Sequence, residues 1–269
     1  MLHSKAISIL ANLGQKPWGV GCLDLKLNEP LLQIQNLTMA FKGLTAISNL
    51  DLDVKAGGVY GLIGPNGAGK TTLFNVISGF LTPQKGQIFF KGRDLVGLRP
   101  HEICHLGIAR TFQLVKPFLE LSVLKNVMIG SFNRHKDIKQ SQEISQQILD
   151  SVNLSSKKGQ LASALTIAER KRLELARVLA TEPVLLLLDE TMAGLNPTEG
   201  EQMLSIIKEI NGRGITIFVI EHVMNIVMSV CQHIVVLNYG EKIGEGEPAD
   251  ISKDRRVIEA YLGEEFTIA

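Results

Sequence analysis

One stretch, "GPNGAGKTT" at residues 64–72, limits the possible folds of this chain more than any other feature. It matches the pattern G-x-x-x-x-G-K-[ST], follows the apolar run "GVYGLI" and precedes the apolar helix pattern "TTLFNVISGF". A strand, a glycine-rich loop and a helix in this order are the context that a phosphate-binding loop requires. The stretch therefore predicts an α/β core with a phosphate site at the end of a buried strand. The alternative is an ordinary glycine turn before a helix.

The residue types in this loop suit phosphate chemistry. Glycine lets backbone N–H groups approach phosphate oxygens closely, and the helix N-terminus adds positive potential. Lys70 supplies charge to the β- and γ-phosphates of a nucleotide, and Thr71 supplies a hydroxyl to Mg²⁺. The predicted nucleotide-binding residues are Gly64, Pro65, Asn66, Gly67, Ala68, Gly69, Lys70, Thr71 and Thr72.

A bound metal needs a carboxylate as well, and "LLLLDE" at residues 185–190 provides one. Its four leucines predict a strand that is buried on both faces. Asp189, at the end of the strand, is predicted to join the Mg²⁺ shell, and Glu190 to polarise a water for in-line attack. For "DE" alone, the alternative is a strand that ends in acidic residues. Together with the phosphate loop, the pair predicts nucleoside triphosphate hydrolysis.

The remaining strands and helices complete an α/β pattern. "LLQIQNLTMAF" and "ISNLDLDV" alternate apolar and polar residues, as half-buried strands do. "GITIFVIEH" is a second continuous apolar run of the kind that a parallel sheet buries. "DIKQSQEISQQILDSVNL" and "TEGEQMLSIIKEINGRG" predict helices, the second with a glycine stop. The predicted fold is α/β, with half-buried strands near the N-terminus.

Charge and hydropathy narrow the functional classes. The 269 residues carry a formal net charge of +1 and so lack the global basic field that holds nucleic acid. No apolar run approaches the roughly 18 residues of a membrane-spanning helix, so a membrane role requires a partner. Three cysteines without a C-x-x-C pair suit a reducing compartment. Residues 1–30 are expected to form a flexible or locally docked extension, with a signal peptide as the alternative.

Four further motifs stand in a recognisable order around the two already described. They are "RTFQ" with Gln113, "LTIAERKR" from Leu165, "AGLN" ending at Asn196, and "VIEHV" with His222. This order resembles that of the ATP-binding cassette (ABC) ATPases of membrane transporters, over about residues 31–262. The resemblance implies a P-loop ATPase core of ABC type in a single domain. It also implies an antiparallel β portion, a helical subdomain inserted at about residues 114–180, and a tail at 263–269.

The resemblance assigns roles to single residues. Phe41 matches the aromatic residue that stacks on adenine, although a strand phenylalanine is more often part of the core. Gln113 matches a glutamine that senses Mg²⁺ and the attacking water and links to the membrane subunit. His222 matches the switch histidine at the γ-phosphate, and Asn196 stands where many relatives have aspartate. The implied cofactors are ATP and Mg²⁺; the implied catalytic residues are Glu190, Gln113 and His222, and the implied metal ligands are Thr71, Gln113 and Asp189.

The stretch "LTIAE" that begins at Leu165 departs most from the family pattern. Relatives read Leu-Ser-Gly-Gly-Gln here, and this segment holds the γ-phosphate of ATP bound on the opposite subunit. Thr166 keeps the hydroxyl and Ala168 the small volume, whereas Ile167 and Glu169 are departures. T-x-x-E is also a capping box, so a capped helix without a ligand is an alternative that is compatible with phosphate contact. Three charged residues at helical spacing are predicted to form a solvated face: Arg170, Glu174 and Arg177.

The motifs "LTIAERKRLELARVLA", "DETMAGLNP" and "VIEAYLG" resemble, more narrowly, the ATPase subunits of branched-chain amino acid importers. This implies a cytoplasmic subunit on the inner face of the cell membrane, paired head-to-tail with a second cassette. The implied partners are membrane permease subunits and, indirectly, an extracytoplasmic binding protein for Leu, Ile or Val. Urea, amides and lipopolysaccharide are alternative cargoes.

Two other classes are weighed against a transporter subunit. Cassette ATPases that act on DNA or ribosomes usually carry coiled-coil arms, tandem cassettes or basic extensions, which this sequence lacks, so no nucleic-acid partner is expected. A P-loop kinase or GTPase conflicts with the order of motifs, and the sequence contains no Asn-Lys-x-Asp. The stretch "HEICH", with His101, Cys104 and His105, is predicted to be a polar helix, with a metal site as the alternative.

Overall fold

The computed structural model describes residues 29–113 and 116–265. Most of the predicted N-terminal extension, residues 1–28, therefore lies outside the described residues, as do Cys22 and residues 266–269 of the predicted tail. The strands are β1 (Leu32–Phe41), β2 (Leu44–Val54), β3 (Val59–Ile63), β4 (Lys85–Phe90), β5 (Arg93–Asp94), β6 (Ile108–Arg110), β7 (Leu185–Asp189), β8 (Thr216–Ile220), β9 (His233–Asn238) and β10 (Glu241–Gly246).

Helices surround and connect these strands. They are α1 (Lys70–Ile77), α2 (Pro100–Leu106), α3 (Val123–Ser131), α4 (Ile138–Ser151), α5 (Ile167–Leu179), α6 (Pro197–Gly212), α7 (Met224–Val230), α8 (Pro248–Ile251) and α9 (Arg255–Glu265). Short 3₁₀ turns stand at Ser155–Lys157 and Ala162–Ala164. None of the helices in the described ranges combines the length and apolar character that crossing a bilayer requires.

The strands form two sheets. An antiparallel sheet has the order β2-β1-β4-β5, and a six-stranded sheet has the order β10-β9-β3-β8-β7-β6. In the second sheet, β10 pairs antiparallel with β9, and the other neighbours pair in parallel. The continuous apolar runs predicted to be buried strands are β3, β7 and β8, and every residue in them is buried. Because parallel strands end at the same edge, the residues that follow these three strands are brought together.

Three helices, α3 to α5, stand between β6 and β7 in the chain. Helix α5 contacts α3, α4 and β6, so it is enclosed on several sides. Helix α4 buries Ile144, Ile148 and Leu149, whereas Ile138 at its first turn is 65% exposed. These helices share one hydrophobic core with one face of the parallel sheet.

The prediction of a solvated face on α5 is wrong. Glu174 is only 6% exposed, and Arg177 is partly buried. Spacing along a helix shows which residues share a face, but not whether another element covers that face. Here the covering elements supply backbone N–H and C=O groups, which become the partners of the charged side chains.

Candidate active site

The phosphate loop joins β3 to α1 and holds the Lys70 ammonium above its own backbone. Lys70 Nζ donates to the carbonyl oxygens of Gly64 at 2.6 Å and Pro65 at 2.8 Å. Gly69 is the N-cap of α1 and offers no side-chain cap, so the first-turn N–H groups need a partner from outside the helix. A phosphate group would supply that partner and would be attracted by both the lysine and the helix terminus. The loop therefore fits a nucleotide phosphate.

At two positions of the loop, packing against neighbouring backbone requires glycine, in addition to any need for a ligand to approach closely. Gly64 has φ +146°, and a Cβ atom there would lie 2.0 Å from the carbonyl oxygen of Leu237 in β9. Gly69 has φ +103°, and its Cβ atom would lie 2.3 Å from the carbonyl oxygen of Ala46 in β2. The phosphate loop is thus wedged between the two sheets, a constraint that the motif alone did not predict.

Asp189 lies at the end of β7 with one carboxylate oxygen paired and the other unpaired. Its Oδ2 accepts a hydrogen bond from Arg110 Nη2 at 2.7 Å, in a pair that is almost fully buried. Among the described residues, Asp189 Oδ1 is buried and has no hydrogen-bond partner. Such an oxygen is costly to leave unsatisfied and is a natural ligand for a hard cation. Thr71, Gln113 and Asp189 line one cavity of about 780 Å³, so the predicted Mg²⁺ ligands face a common space.

Glu190 is hydrogen-bonded to the other two predicted catalytic residues, Gln113 and His222. Its Oε2 accepts from Gln113 Nε2 at 2.7 Å, and its Oε1 is hydrogen-bonded to His222 Nε2. Its backbone is in the left-handed region at φ +48°, and its N–H donates to the Ile220 carbonyl at 2.9 Å. Strained backbone of this kind persists where the surroundings hold it, often at functional sites. The carboxylate is thereby fixed from two sides, as a base that must aim at a water requires.

Charged side chains on α5, whose burial the sequence did not predict, hold the chain on both sides of Gln113. Glu174 Oε1 accepts from the Phe112 N–H at 3.0 Å, and Arg177 Nη1 donates to the Lys116 carbonyl at 3.1 Å. Burial raises the pKa of Glu174 to about 7, against the hydrogen bond from Phe112, which lowers it. The signal in the sequence was a charge inside "LELA", where both flanking leucines are fully buried.

The start of α5 contains the predicted capping box. Thr166 Oγ1 accepts from the Glu169 N–H at 3.3 Å, and Glu169 Oε2 accepts from the Thr166 N–H at 3.0 Å. Glu169 also pairs with Lys157 at 2.5 Å, which keeps its charge occupied locally. Thr166 is exposed and Ile167 is 68% exposed, whereas Ala168 is buried. The helix is capped, and its N-terminal end still presents a hydroxyl and an apolar side chain at the surface.

Five other residues singled out from the sequence have clear placements. Phe41 is 42% exposed at the end of β1, so the core alternative for this residue is wrong. Asn196 caps α6, where its side chain accepts from the Glu199 N–H at 3.0 Å. His101, Cys104 and His105 all lie on α2. Within the ranges that the structure describes, no three His, Cys, Asp or Glu side chains form a metal-binding group.

The sequence of this chain matches two known family profiles. A family profile described as "ABC transporter" matches residues 47–193, more than half of the chain. The chain belongs to the ABC transporter family. A second profile, described as "Branched-chain amino acid ATP-binding cassette transporter", matches residues 241–267 of this cassette. The cassette is therefore an ATP-binding protein and an ATPase, and the resemblance stated from the sequence is confirmed.

Individual relatives are similar to the cassette over most of its length. The high-affinity branched-chain amino acid transport ATP-binding protein BraF of Pseudomonas aeruginosa is 37% identical, covering 88% of this chain and 100% of the relative. LivG of Salmonella typhimurium, with the same description, is also 37% identical over the same shares. A probable LivG of Archaeoglobus fulgidus is 36% identical, covering 87% of this chain and 95% of the relative.

Solved structures confirm the predicted fold class. The ADP conformation of MJ1267, an ATP-binding cassette of an ABC transporter, superposes with a TM-score of 0.80 at 32% identity, covering 88% of this chain and 100% of that one. A nucleotide-free ATP-binding cassette from an ABC transporter gives a TM-score of 0.79 at 32% identity, covering 87% and 99%.

Proposed function

We propose that this cassette powers the import of branched-chain amino acids through separate permease subunits, at the inner face of the cell membrane. The observation that carries the proposal is similarity over nearly the whole chain to ATP-binding proteins named for this transport, including a C-terminal match at residues 241–267. The cargo would not contact this subunit, so the shared fold alone does not specify it.

The hydrolytic site supports a base-assisted attack of water on the γ-phosphate. Lys70 and the first turn of α1 bind the phosphates, and Glu190 accepts the proton of the water while Gln113 and His222 hold its carboxylate in place. Bound Mg²⁺ would neutralise charge on the phosphates, and Thr71, Gln113 and Asp189 are the residues that would hold it. Phe41 is exposed and free to stack on adenine.

A second cassette completes the proposed site. The exposed Thr166 hydroxyl, the N-terminus of α5 and the adjacent exposed Ile167 form a surface that suits contact with ATP on a facing subunit. Closure of two cassettes on ATP, and their opening after hydrolysis, would then drive the permease.

The apolar part of the cavity that Thr71, Gln113 and Asp189 also line is the proposed contact for the permease. Exposed apolar side chains, Phe80, Phe112 and Ile129, line it, and Phe80 packs edge-on against Phe112 at 5.6 Å. Exposed apolar groups clustered around a groove are typical of a surface that another protein covers. A permease segment in this groove would touch the chain next to Gln113, which itself contacts Glu190.

The experiment is uptake of labelled Leu, Ile and Val in a strain that relies on this subunit. Lys70→Ala removes the charge on the phosphates, so ATP binding should weaken and uptake of all three amino acids should stop. The strain with the unchanged chain is the control. If uptake of all three continues with Lys70→Ala, the cargo proposal is wrong and the ATPase assignment stands. Parallel uptake of urea tests the alternative cargo.

A further inference from the structure

Lys171 is a buried lysine whose amino group reaches the backbone beside the catalytic carboxylate. It is 7% exposed, and Nζ donates to the carbonyl oxygens of Thr191 at 3.0 Å and Glu190 at 3.3 Å. Lysine is seldom buried unless its charge has partners. Both partners here belong to the segment that leaves β7 and carries the proposed base.

This contact completes the restraint of Glu190. The backbone of Glu190 has a φ of +48°, in the left-handed region that residues other than glycine adopt uncommonly. The Ile220 carbonyl holds its N–H, and Lys171 holds its C=O. Two residues later, the Met192 N–H donates to the buried Glu221 carboxylate at 2.9 Å. The strained turn is thus fixed at successive peptide groups.

Charges around Lys171 also support its burial. Desolvation lowers the pKa of Lys171, and the carboxylates of Glu221, Glu174 and Glu190 oppose that shift. The amino group remains a hydrogen-bond donor in either protonation state. Lys171 stands on α5, the same helix that Thr166 caps, so one helix connects the partner-facing hydroxyl with the backbone of Glu190.

We propose that Lys171 is a positioning residue for ATP hydrolysis, which holds the backbone of Glu190 so that its carboxylate meets Gln113 and His222. The inference rests on the proposed role of Glu190 as the base. In this proposal Lys171 acts through the backbone of Glu190 and Thr191, to which its amino group donates, and not by contact with the reacting atoms.

The test is steady-state ATP hydrolysis by the full-length chain with Lys171→Met, Lys171→Arg or Arg172→Met. Lys171→Met keeps the aliphatic stem and loses the donors, so kcat should fall about 10- to 100-fold, as small misplacements of catalytic groups cause. KM for ATP should change by less than about twofold, because uniform binding is untouched. Lys171→Arg should recover most of kcat. Arg172→Met is the matched control, since Arg172 contacts the Asn153 carbonyl instead and should keep wild-type kcat.

The same Lys171 variants are then compared in a Glu190→Gln background by single-turnover hydrolysis. If Lys171 acts through Glu190, Lys171→Met causes no further loss of hydrolysis rate in the Glu190→Gln background. An equal loss in both backgrounds, or unchanged kcat with Glu190 present, overturns the inference. If Glu190→Gln is inactive and Lys171→Met is fully active, the inference about Lys171 is overturned and the role of Glu190 as the base stands. If Glu190→Gln shows wild-type turnover, the proposed base is overturned as well. Thermal unfolding and ATP binding check folding, and Lys171→Gln replaces Lys171→Met if the latter does not fold.

Discussion

Glu190 receives hydrogen bonds from Gln113 and His222, two side chains that lie far apart in the chain. Glu190→Gln keeps the size of this side chain and one of its two acceptor oxygens but cannot accept a proton from water. A general base contributes roughly 10²–10⁴ in rate, so we expect turnover to be nearly lost while ATP affinity is retained. ATP-bound dimers should accumulate, which size-exclusion chromatography with ATP measures. Wild-type turnover in this variant would contradict the assignment.

Glu174 gives the free energy of unfolding a specific dependence on pH. Burial raises its pKa to about 7 in the folded state, above its usual 4.5. Between these values the folded state keeps a proton that the unfolded state has released, so stability falls as pH rises from about 4.5 to about 7. Glu174→Gln does not titrate and keeps an acceptor for the Phe112 N–H. The free energy of unfolding of Glu174→Gln minus that of wild type should increase by at most about 3 kcal/mol as the pH rises from about 4.5 to about 7.

Chemical unfolding of both proteins at several pH values measures this difference. Glu143→Gln, a change at an exposed residue of α4, is the control for loss of a carboxylate on a helix. A constant difference between Glu174→Gln and wild type from pH 4.5 to pH 7 would count against the raised pKa.

The residues of the site differ in how far the sequence predicted them. Asp189 and Glu190 stand in fixed register to a continuous apolar strand, so their placement at the end of β7 followed from the pattern. Lys171 and Glu174 did not follow, because their partners are backbone groups of loops that approach only in the folded chain. Arg110 was missed for a different reason, because its pairing with the Asp189 side chain joins neighbouring strands that are distant in sequence.

At the level of elements, the capped N-terminus of helix α5 can be tested for contact with phosphate. Thr166→Val removes the hydroxyl at nearly constant volume and should cost about 1 kcal/mol through loss of the cap. Thr166→Asp keeps a good N-cap but places negative charge against a facing γ-phosphate. If the segment contacts phosphate, Thr166→Asp should remain stable and bind ATP on its own loop, yet fail to dimerise or hydrolyse.

The measurement is thermal stability together with ATP-dependent dimerisation, both in a Glu190→Gln background. A Thr166→Asp protein that dimerises normally with ATP would show that this segment has only a structural role here.

The sequence predicted the buried strands better than it predicted which residues of the helices are exposed. Strands β3, β7 and β8 are buried on both faces, so a continuous apolar run identifies them without knowledge of their neighbours. A helix shows its apolar face in the sequence, but the exposure of Ile138 and the burial of Glu174 depend on which elements cover it. Contacts among α3, α4, α5 and β6 decide these outcomes.

For the whole molecule, the proposed head-to-tail pair predicts hydrolysis that depends on protein concentration. If each site needs Thr166 from the facing cassette, specific ATPase activity without permease should rise as dilute cassettes are concentrated. Assays over a concentration series, with light scattering to follow mass, check this. Constant specific activity under conditions in which the chain is monomeric would contradict a composite site.

The wedged phosphate loop has a consequence for how this chain tolerates mutation. A side chain at Gly64 or Gly69 would run into the backbone of a different sheet in each case. A Cβ atom at Gly67, where φ is +78°, would meet no atom within 4 Å and would strain only the local backbone. Screening variants for folded protein alone, with no nucleotide present, would therefore already eliminate substitutions at the first two positions. Intolerance at Gly64 and Gly69 thus reports on architecture as much as on ligand binding. Among the three, Gly67 is where a loss of activity in a folded variant speaks most directly of phosphate recognition.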